Sequence, residues 1–395
     1  LALALAVFVV FATTSCGKKV NDLRVGVYGS KTGPTATFGK STENGALMAF
    51  REANAAGGVG GLTINATSED DQGKPEEAAT AVNKLISQNR VIAVIGEVAS
   101  SNSLAGAPIC QNSGVPMISP SSTNEKVTTI GDYIFRVCFI DPFQGAVAAK
   151  FALQSLKLNH VAILRDVRSD YSIGLSDVFQ KTIESVGGKI CANVSYQQGD
   201  QDFRAPLTAI VASNPQAIYV PGYYTDVGLI ARQARELGVT VPLLGGDGWD
   251  SPKLVEIGGK ALEGCYFSNH YAADDQSPVV QNFITKYKAK YGETPDALAA
   301  LGYDAAGLLV QSLRTLQTSQ PAVFEGLHSS LGLDAKSRAK RAAAEKALRD
   351  LIAQTKDYPG VTGSISIDDQ RNAVKSAVVL TIKDGKFAFV ERVAP

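Results

Sequence analysis

The sequence predicts an α/β protein built as two doubly wound parallel-sheet lobes joined by three hinge crossings. Three observations carry this. From Val20 onward, short apolar runs ending in Gly, Ser or Asp alternate with amphipathic helical stretches. The alternation is interrupted near Asp141 by DPFQG and then starts again. The chain has 395 residues, 45% of them hydrophobic, which is enough for two domains with separate cores.

Taken in order, LALALAVFVVFATTSC is an apolar run too short to span a bilayer comfortably, followed by small residues and a cysteine. It resembles the apolar core and cleavage box of a bacterial lipoprotein signal, with residues 1–19 as signal and tether and Cys16 as the lipidated residue. Thr13 stands where such boxes usually carry Leu. An ordinary cleaved signal and a truncated transmembrane anchor are the alternatives, and all three place the rest outside the cytoplasm, in the periplasm or at the cell surface. LRVGVYG then reads as a strand, followed by the turn SKTGPTATFG and a helix over about 40–56. LTINATSED is a strand leading into the helix EEAATAVNKLISQN.

Between Val91 and Thr123 the chain twice runs from a buried strand into a serine-rich turn, VIAVIG into EVASSNS and PMIS into PSSTNEKV. Ser100, Ser101, Asn102 and Ser103 follow the first strand; Ser121, Ser122, Thr123 and Asn124 follow the second. These are N-cap residue types. Two helix N-termini are therefore expected side by side at the carboxyl edge of one sheet, where N–H groups and the helix dipole favour an anion such as a carboxylate.

YIFRVCFI ends this series, and the first crossing is expected at Asp141–Pro142. VAILRD, KICANVSYQ, AIYVPGY, VPLLGGD and GCYFSNHY are the strands of the second series. A crossing near His270–Ala273 returns the chain to the first lobe, and a third is expected near Pro359–Gly363. Beyond it the strand-rich tail turns at Asp384–Gly385. Lobe I is thus 20–141 plus 272–360, and lobe II is 142–271 plus 361–395. The cleft between them is the expected ligand site. The stretch 334–354, DAKSRAKRAAAEKALRDLIAQ, reads as a solvated helix held by charge pairs.

Lys+Arg and Asp+Glu balance at 38 each, so nothing points to nucleic acid or an anionic membrane surface. His160, His270 and His328 have no second metal ligand at helical spacing, and no metal or cofactor is expected. Gly-x-Ser-x-Gly, Gly-x-Gly-x-x-Gly and P-loop patterns do not occur, so no nucleophile, base and oxyanion site assemble and the chain is read as a non-enzyme. Glu69, Asp70 and Asp71 are read as a solvated turn. In an oxidising compartment Cys110 and Cys138 are a possible disulfide, whereas Cys191 and Cys265 are expected at opposite edges of their sheet.

VGVYGSKTGPTATFGKSTENGALMAFREANAAGGVGG, VIGEVASS, PMISPSST and RDVRSDYSIGLS together resemble the substrate-binding proteins of branched-chain amino acid ABC transporters. The resemblance covers nearly the whole mature chain. It implies a type I periplasmic binding protein: a monomer with two lobes and three hinge strands that closes over one L-amino acid and delivers it to a membrane permease. It further implies that Ser100, preceded by Ala99, together with Ser121, Ser122 and Thr123 forms the seat of the ligand carboxylate. Tyr171 and Tyr223 then face the ligand, Asp247 takes its ammonium, and Phe38 and Trp249 border the side-chain pocket, with Asp141 and Gln144 near the hinge as secondary candidates. A zwitterion buried in this way needs donors at one end and a carboxylate at the other.

The sequence departs from the family in two ways. Relatives tie the turn after the second strand to the turn after the third by a disulfide, where this chain has Gln72–Gly73 and Ala99. The doubly serine turn Ser121–Ser122 is also more polar than the family's alanines, which leaves open a ligand that is not purely aliphatic. The competing readings are the same fold holding a non-amino-acid carboxylate or amide, and a ligand sensor that acts on a separate signalling partner.

Overall fold

The computed structural model describes residues 21–394, so the signal segment and Cys16 lie outside the described residues. The first sheet contains β1 (Leu23–Gly29), β2 (Ile64–Asp70), β3 (Ala93–Ile95), β4 (Met117–Ser119) and β5 (Ile134–Arg136), all parallel, in the order β2-β1-β3-β4-β5. Its central strands are buried along their length, as expected where helices cover both faces. Those helices include α1 (Ala36–Ala55), α2 (Pro75–Ser87) and α3 (Ser100–Ser113). α1 begins one turn earlier than the sequence suggested, and this brings Phe38 into the buried face.

The second serine-rich turn departs from expectation. Only a single helical turn, α4 (Lys126–Thr129), follows it, and Ser121–Asn124 do not open a helix. The reason is the buried Arg136 on β5. Its guanidinium donates to the carbonyls of Ser122 (2.5 Å) and Asn124 (2.9 Å), fixing this backbone as a loop. The first turn is also not capped by its serines: Ala99 is the N-cap of α3, and no side chain caps it.

After α5 (Asp141–Lys150), the second series supplies β6 (His160–Asp166), α6 (Asp170–Ser185), β7 (Lys189–Tyr196), α7 (Arg204–Val211), β8 (Ala217–Tyr219), α8 (Tyr224–Glu236), β9 (Leu243–Gly245), α9 (Pro252–Gly258) and β10 (Tyr266–Asn269). Within this sheet the order β7-β6-β8-β9-β10 repeats the order of the first lobe. The chain then adds α10 (Pro278–Tyr291), α11 (Ala297–Ser319), α12 (Pro321–Phe324) and α13 (Ala335–Ala353). α13 carries the expected i,i+4 pairs Arg341–Glu345 (2.9 Å) and Lys346–Asp350 (3.2 Å). It is not wholly solvated, because Ala344, Leu348 and Ile352 are buried and Arg341 donates to the carbonyl of Val91.

The last crossing comes later than Pro359–Gly363. β11 (Tyr358–Gly360), β12 (Gly363–Ile367) and β13 (Ala373–Val374) form a small antiparallel sheet held to first-lobe elements. Asp304 of α11 accepts from the N–H groups of Val361 (2.7 Å) and Thr362 (2.9 Å), and Arg371 donates to the Thr128 carbonyl (2.8 Å). The chain joins the second sheet only at β14 (Ala377–Lys383), which pairs with β10 and forms the tail hairpin with β15 (Lys386–Val393).

Cys110, Cys138, Cys191 and Cys265 are all free, so the possible Cys110–Cys138 bond is not made. Cys191 lies on the edge strand β7. Cys265 precedes β10, which is an interior strand and not the opposite edge.

α1 and α11 cross in close contact. A Cβ on Gly45 would lie 1.9 Å from the Ala299 carbonyl oxygen, and one on Gly302 would lie 2.3 Å from that of Thr42. This approach sets the position of the first turn of α11. Gly45→Val is therefore expected to destabilise the protein by about 1–3 kcal/mol or more, the scale of overpacking. Urea unfolding checks it, and an unchanged midpoint would contradict the close crossing.

Candidate functional site

In an open sheet with this strand order, ligands bind beyond the carboxyl ends of the strands, where the chain direction switches from one side to the other. Both lobes have such a point. In the first it lies between β1 and β3, followed by Phe38 and Ser100; in the second it lies between β6 and β8, followed by Tyr171 and Tyr223. The two points face each other across a small cavity lined by Phe38, Val98, Ser121, Tyr171, Tyr223, Asp247, Gly248 and Leu298. Larger grooves lie elsewhere, along α1 and α11 and beside Asp250, but they are open flanks away from both switch points.

The lobes touch directly around this cavity. The hydroxyls of Thr37 and Ser251 are 2.9 Å apart, Thr225 donates to the Pro34 carbonyl (2.6 Å), and Ser101 donates to Asp170 (3.0 Å). Phe38 packs edge-on against Tyr223 and Tyr224, at 5.5 and 5.0 Å between ring centroids. The described conformation is thus a closed one.

The first-lobe wall is organised by Glu97, which sequence reasoning passed over. Gly96 takes φ +137°, and a Cβ there would lie 2.3 Å from the Tyr28 carbonyl oxygen, so the chain needs glycine to enter this turn. The backbone carbonyl of Glu97 accepts from the hydroxyls of Ser119 (2.7 Å) and Ser122 (2.9 Å). Its carboxyl accepts from the backbone N–H groups of Ser30 (3.0 Å) and Ala99. Ser122 is therefore committed to the loop and not turned to the cavity, and the Ala99 N–H is already paired. Ser121 is on the cavity wall. Ser100 is buried behind it, its hydroxyl accepting from the Asn124 N–H (3.3 Å), and the buried Thr123 hydroxyl has no hydrogen-bond partner.

The expected solvated turn at 69–71 is corrected for Asp71, which is fully buried. The Ser30 hydroxyl stands 3.0 Å from both the Asp71 and the Glu97 carboxyls. This contact links the turns after β1, β2 and β3. It occupies the region where the family resemblance implied a disulfide.

On the second lobe, Asp247 is buried and its oxygens are held by Gln144 Nε2 (2.9 Å), the Tyr171 hydroxyl (3.0 Å) and His270 Nε2 (3.0 Å). Burial pushes the His270 imidazole below its ordinary value despite the neighbouring Asp247, and the ring stacks on Phe139 at 3.7 Å. Burial, then the Asp247 charge, pushes the Tyr171 phenol well above its ordinary value, so it remains a donor. All three donors are neutral. No lysine or arginine ion-pairs with Asp247 among the described residues. A carboxylate has about four acceptor positions, so one stays open, beside an uncompensated negative charge. Tyr171 and Tyr223 stack at 5.4 Å, 8° from parallel, and close the opposite side.

Two expected residues are placed elsewhere. The Trp249 ring is fully buried; its Nε1 donates to the Val220 carbonyl (2.9 Å) and the ring packs against Gly245 and Phe267, so it supports the core and does not border the cavity. Asp141 is not on the wall either. It is buried with neither carboxyl oxygen hydrogen-bonded. Burial and the Asp247 charge push its pKa up to about 8, against the pull of the Arg136 charge. Gln144, secondary by sequence, holds Asp247 directly, while His270, Val98 and Leu298 carried no sequence signal for the site. Among the described residues no cluster of acidic, histidine and cysteine side chains is arranged to hold a metal ion.

A family model described as periplasmic binding protein matches residues 22–386. The crystal structure of a leucine binding protein, LivK, from Thermotoga maritima is 38% identical in sequence, with a TM-score of 0.84 over 94% of this chain and 99% of that one. The branched-chain amino acid transporter substrate binding protein LivJ from Streptococcus pneumoniae, in complex with isoleucine, is 32% identical, with a TM-score of 0.83 over 95% of this chain and 100% of that one. A leucine-, isoleucine-, valine-, threonine- and alanine-binding protein of Pseudomonas aeruginosa is 30% identical over 81% of this chain and 88% of its own length.

Asp141 makes stability depend on pH. Its folded pKa of about 8 lies above that of the unfolded chain, so the native state binds the extra proton between about pH 4 and pH 8. The contribution is fully present below about pH 4 and is lost as pH rises through 8. Asp141→Asn is expected to flatten the pH dependence of the urea midpoint in this window relative to wild type. Identical slopes in the two proteins would contradict it.

Proposed function

The chain belongs to the periplasmic binding protein family, and from that premise we propose that it is the extracytoplasmic receptor of an ABC transporter for an L-amino acid with an aliphatic, branched side chain. The observation that carries this is Asp247, a buried carboxylate on the cavity wall held only by neutral donors with an acceptor position to spare. Such a site favours a ligand cation. The ligand ammonium then lies at Asp247 and its carboxylate at Ser121, with Ser100 and Thr123 completing the seat. The side chain meets Phe38, Val98 and Leu298, between the walls of Tyr171 and Tyr223. The polarity of the Ser121–Ser122 turn does not argue against an aliphatic ligand, because the Ser122 hydroxyl is spent on backbone carbonyls. Ser122, Ala99, Trp249 and Asp141 are supporting residues in this reading.

The relatives are binding proteins, and the role proposed here is likewise binding and delivery without turnover. The partner is a membrane permease that receives the ligand when the lobes open. The protein acts as a monomer in the periplasm or at the cell surface, held by a lipid on Cys16. Lobe I comprises 20–141 and the segment from 272 to the small sheet ending at Val374; lobe II comprises 142–271 and the tail from Ala377. The interlobe hydrogen bonds support closure over the ligand as the step the permease reads.

Calorimetry with L-leucine, L-isoleucine and L-valine tests the reading, and saturable binding of at least one is expected; binding of none would remove the assignment. Asp247→Ala is expected to weaken that amino acid by roughly 3–5 kcal/mol, the scale of an unpaired buried ion. The same compound without its amine should lose much less, and equal losses would contradict the ammonium role of Asp247.

A further inference from the structure

We propose that Glu97 and Asp71 together hold one proton, and that this carboxyl pair, joined through the Ser30 hydroxyl, positions the carboxylate seat and makes ligand affinity fall as pH rises. The geometry favours a proton. The Ser30 hydroxyl has one hydrogen, yet its oxygen lies 3.0 Å from both Asp71 Oδ1 and Glu97 Oε1. That hydrogen serves one carboxyl fully or is shared weakly between the two, as the Ser122 hydroxyl is between two carbonyls. With both ionised, two negative charges would depend on this one hydrogen inside a fully buried site. A shared carboxyl proton resolves this, and the proton belongs to the pair and not to one residue.

Among the described residues no cation is paired with either carboxyl in its place. Asp70 adjoins the pair on the β2 side, the Tyr28 phenol faces both carboxyls from β1, and Tyr223 faces Glu97 from across the cleft. Both carboxyls are held above their ordinary values, chiefly by burial. A second negative charge here would be resisted only by N–H and O–H groups.

The pair reaches the ligand seat through four connections. The Glu97 carboxyl holds the N–H of Ala99, the residue before Ser100. It also holds the Ser30 N–H in the turn that leads to Phe38. The Glu97 carbonyl collects the hydroxyls of Ser119 and Ser122, which shape the loop carrying Ser121. Asp71 accepts from the Gly73 N–H (2.9 Å) and so fastens the turn after β2 to the same point. Glu97 is thus a positioning residue beneath the groups assigned to the ligand carboxylate. Loss of the shared proton places a second negative charge under that seat, where it both loosens the loops and repels the anion. By linkage, the bound carboxylate holds the proton more firmly.

The inference rests on the amino-acid reading for its binding arm and is independent of it for the protonation arm. In infrared difference spectra of wild type against Glu97→Gln at neutral pH, a protonated-carboxyl band is expected in wild type and missing from the variant; no difference band would overturn the shared proton. In calorimetry with the amino acid that wild type binds, Asp71→Asn should stay within about threefold at pH 7, because its Oδ1 keeps the Ser30 hydroxyl and the Gly73 N–H and its NH2 takes the place of the unpartnered Oδ2. It should also lose the decline in affinity that wild type shows as pH is raised. Glu97→Ala should bind at least tenfold more weakly at every pH. If Asp71→Asn is as damaging as Glu97→Ala, or if it shows the same alkaline decline as wild type, the positioning role fails. A wild-type protein that binds no amino acid would instead defeat the functional reading and leave the infrared result to stand alone.

Discussion

A negative charge buried without a cation is the constraint around which the second lobe is arranged. Asp247 follows β9 and is reached by groups from separate elements: Gln144 from α5, Tyr171 from α6, and His270 at the end of β10. Each can donate and none brings a positive charge. Hydrogen bonds of this kind lower the cost of keeping the carboxylate ionised, and they leave its charge to attract something from the cleft. The same bonds fix the Tyr171 ring, which stacks on Tyr223. Tyr223 in turn meets Phe38 of the other lobe. One electrostatic requirement therefore reaches through aromatic packing to the interlobe contact.

The first lobe solves the opposite problem with hydroxyls and backbone. Serines that look like helix caps in the sequence are drawn to the Glu97 carbonyl, and Arg136 holds the carbonyls beyond them. The result is a rigid loop that presents Ser121 to the cavity, while Leu298 arrives from α11 because Gly45 and Gly302 let α1 and α11 approach closely. Apolar contact and polar seat are thus set by different parts of the lobe. In the function proposed above, side-chain specificity can therefore change while the polar groups stay in place.

Much of the fold was legible because its signals are local. Buried strands ending in small residues, each followed by an amphipathic helix, mark a doubly wound sheet, and the restart after Asp141 marks the second lobe. The tail hairpin turned where Asp384–Gly385 indicated. What stayed hidden depends on contacts distant in sequence. Nothing near Ser121–Asn124 announces that Arg136 will prevent a helix, and Trp249 has the same local look whether it faces a cleft or packs on Gly245. Asp71 reads as solvent-facing because the groups around it, Ser30 and Glu97, lie in the turns after other strands. His270 was weighed only as a metal ligand, whereas its role is to orient a carboxylate.

The most direct test of the account is the structure of the protein with its bound amino acid. The account predicts the ligand ammonium nitrogen within hydrogen-bonding distance of Asp247, the carboxylate against Ser121 and Ser100, and the side chain among Phe38, Val98 and Leu298. A ligand lying the other way round, with its carboxylate towards Asp247, or one bound outside this cleft, would contradict it.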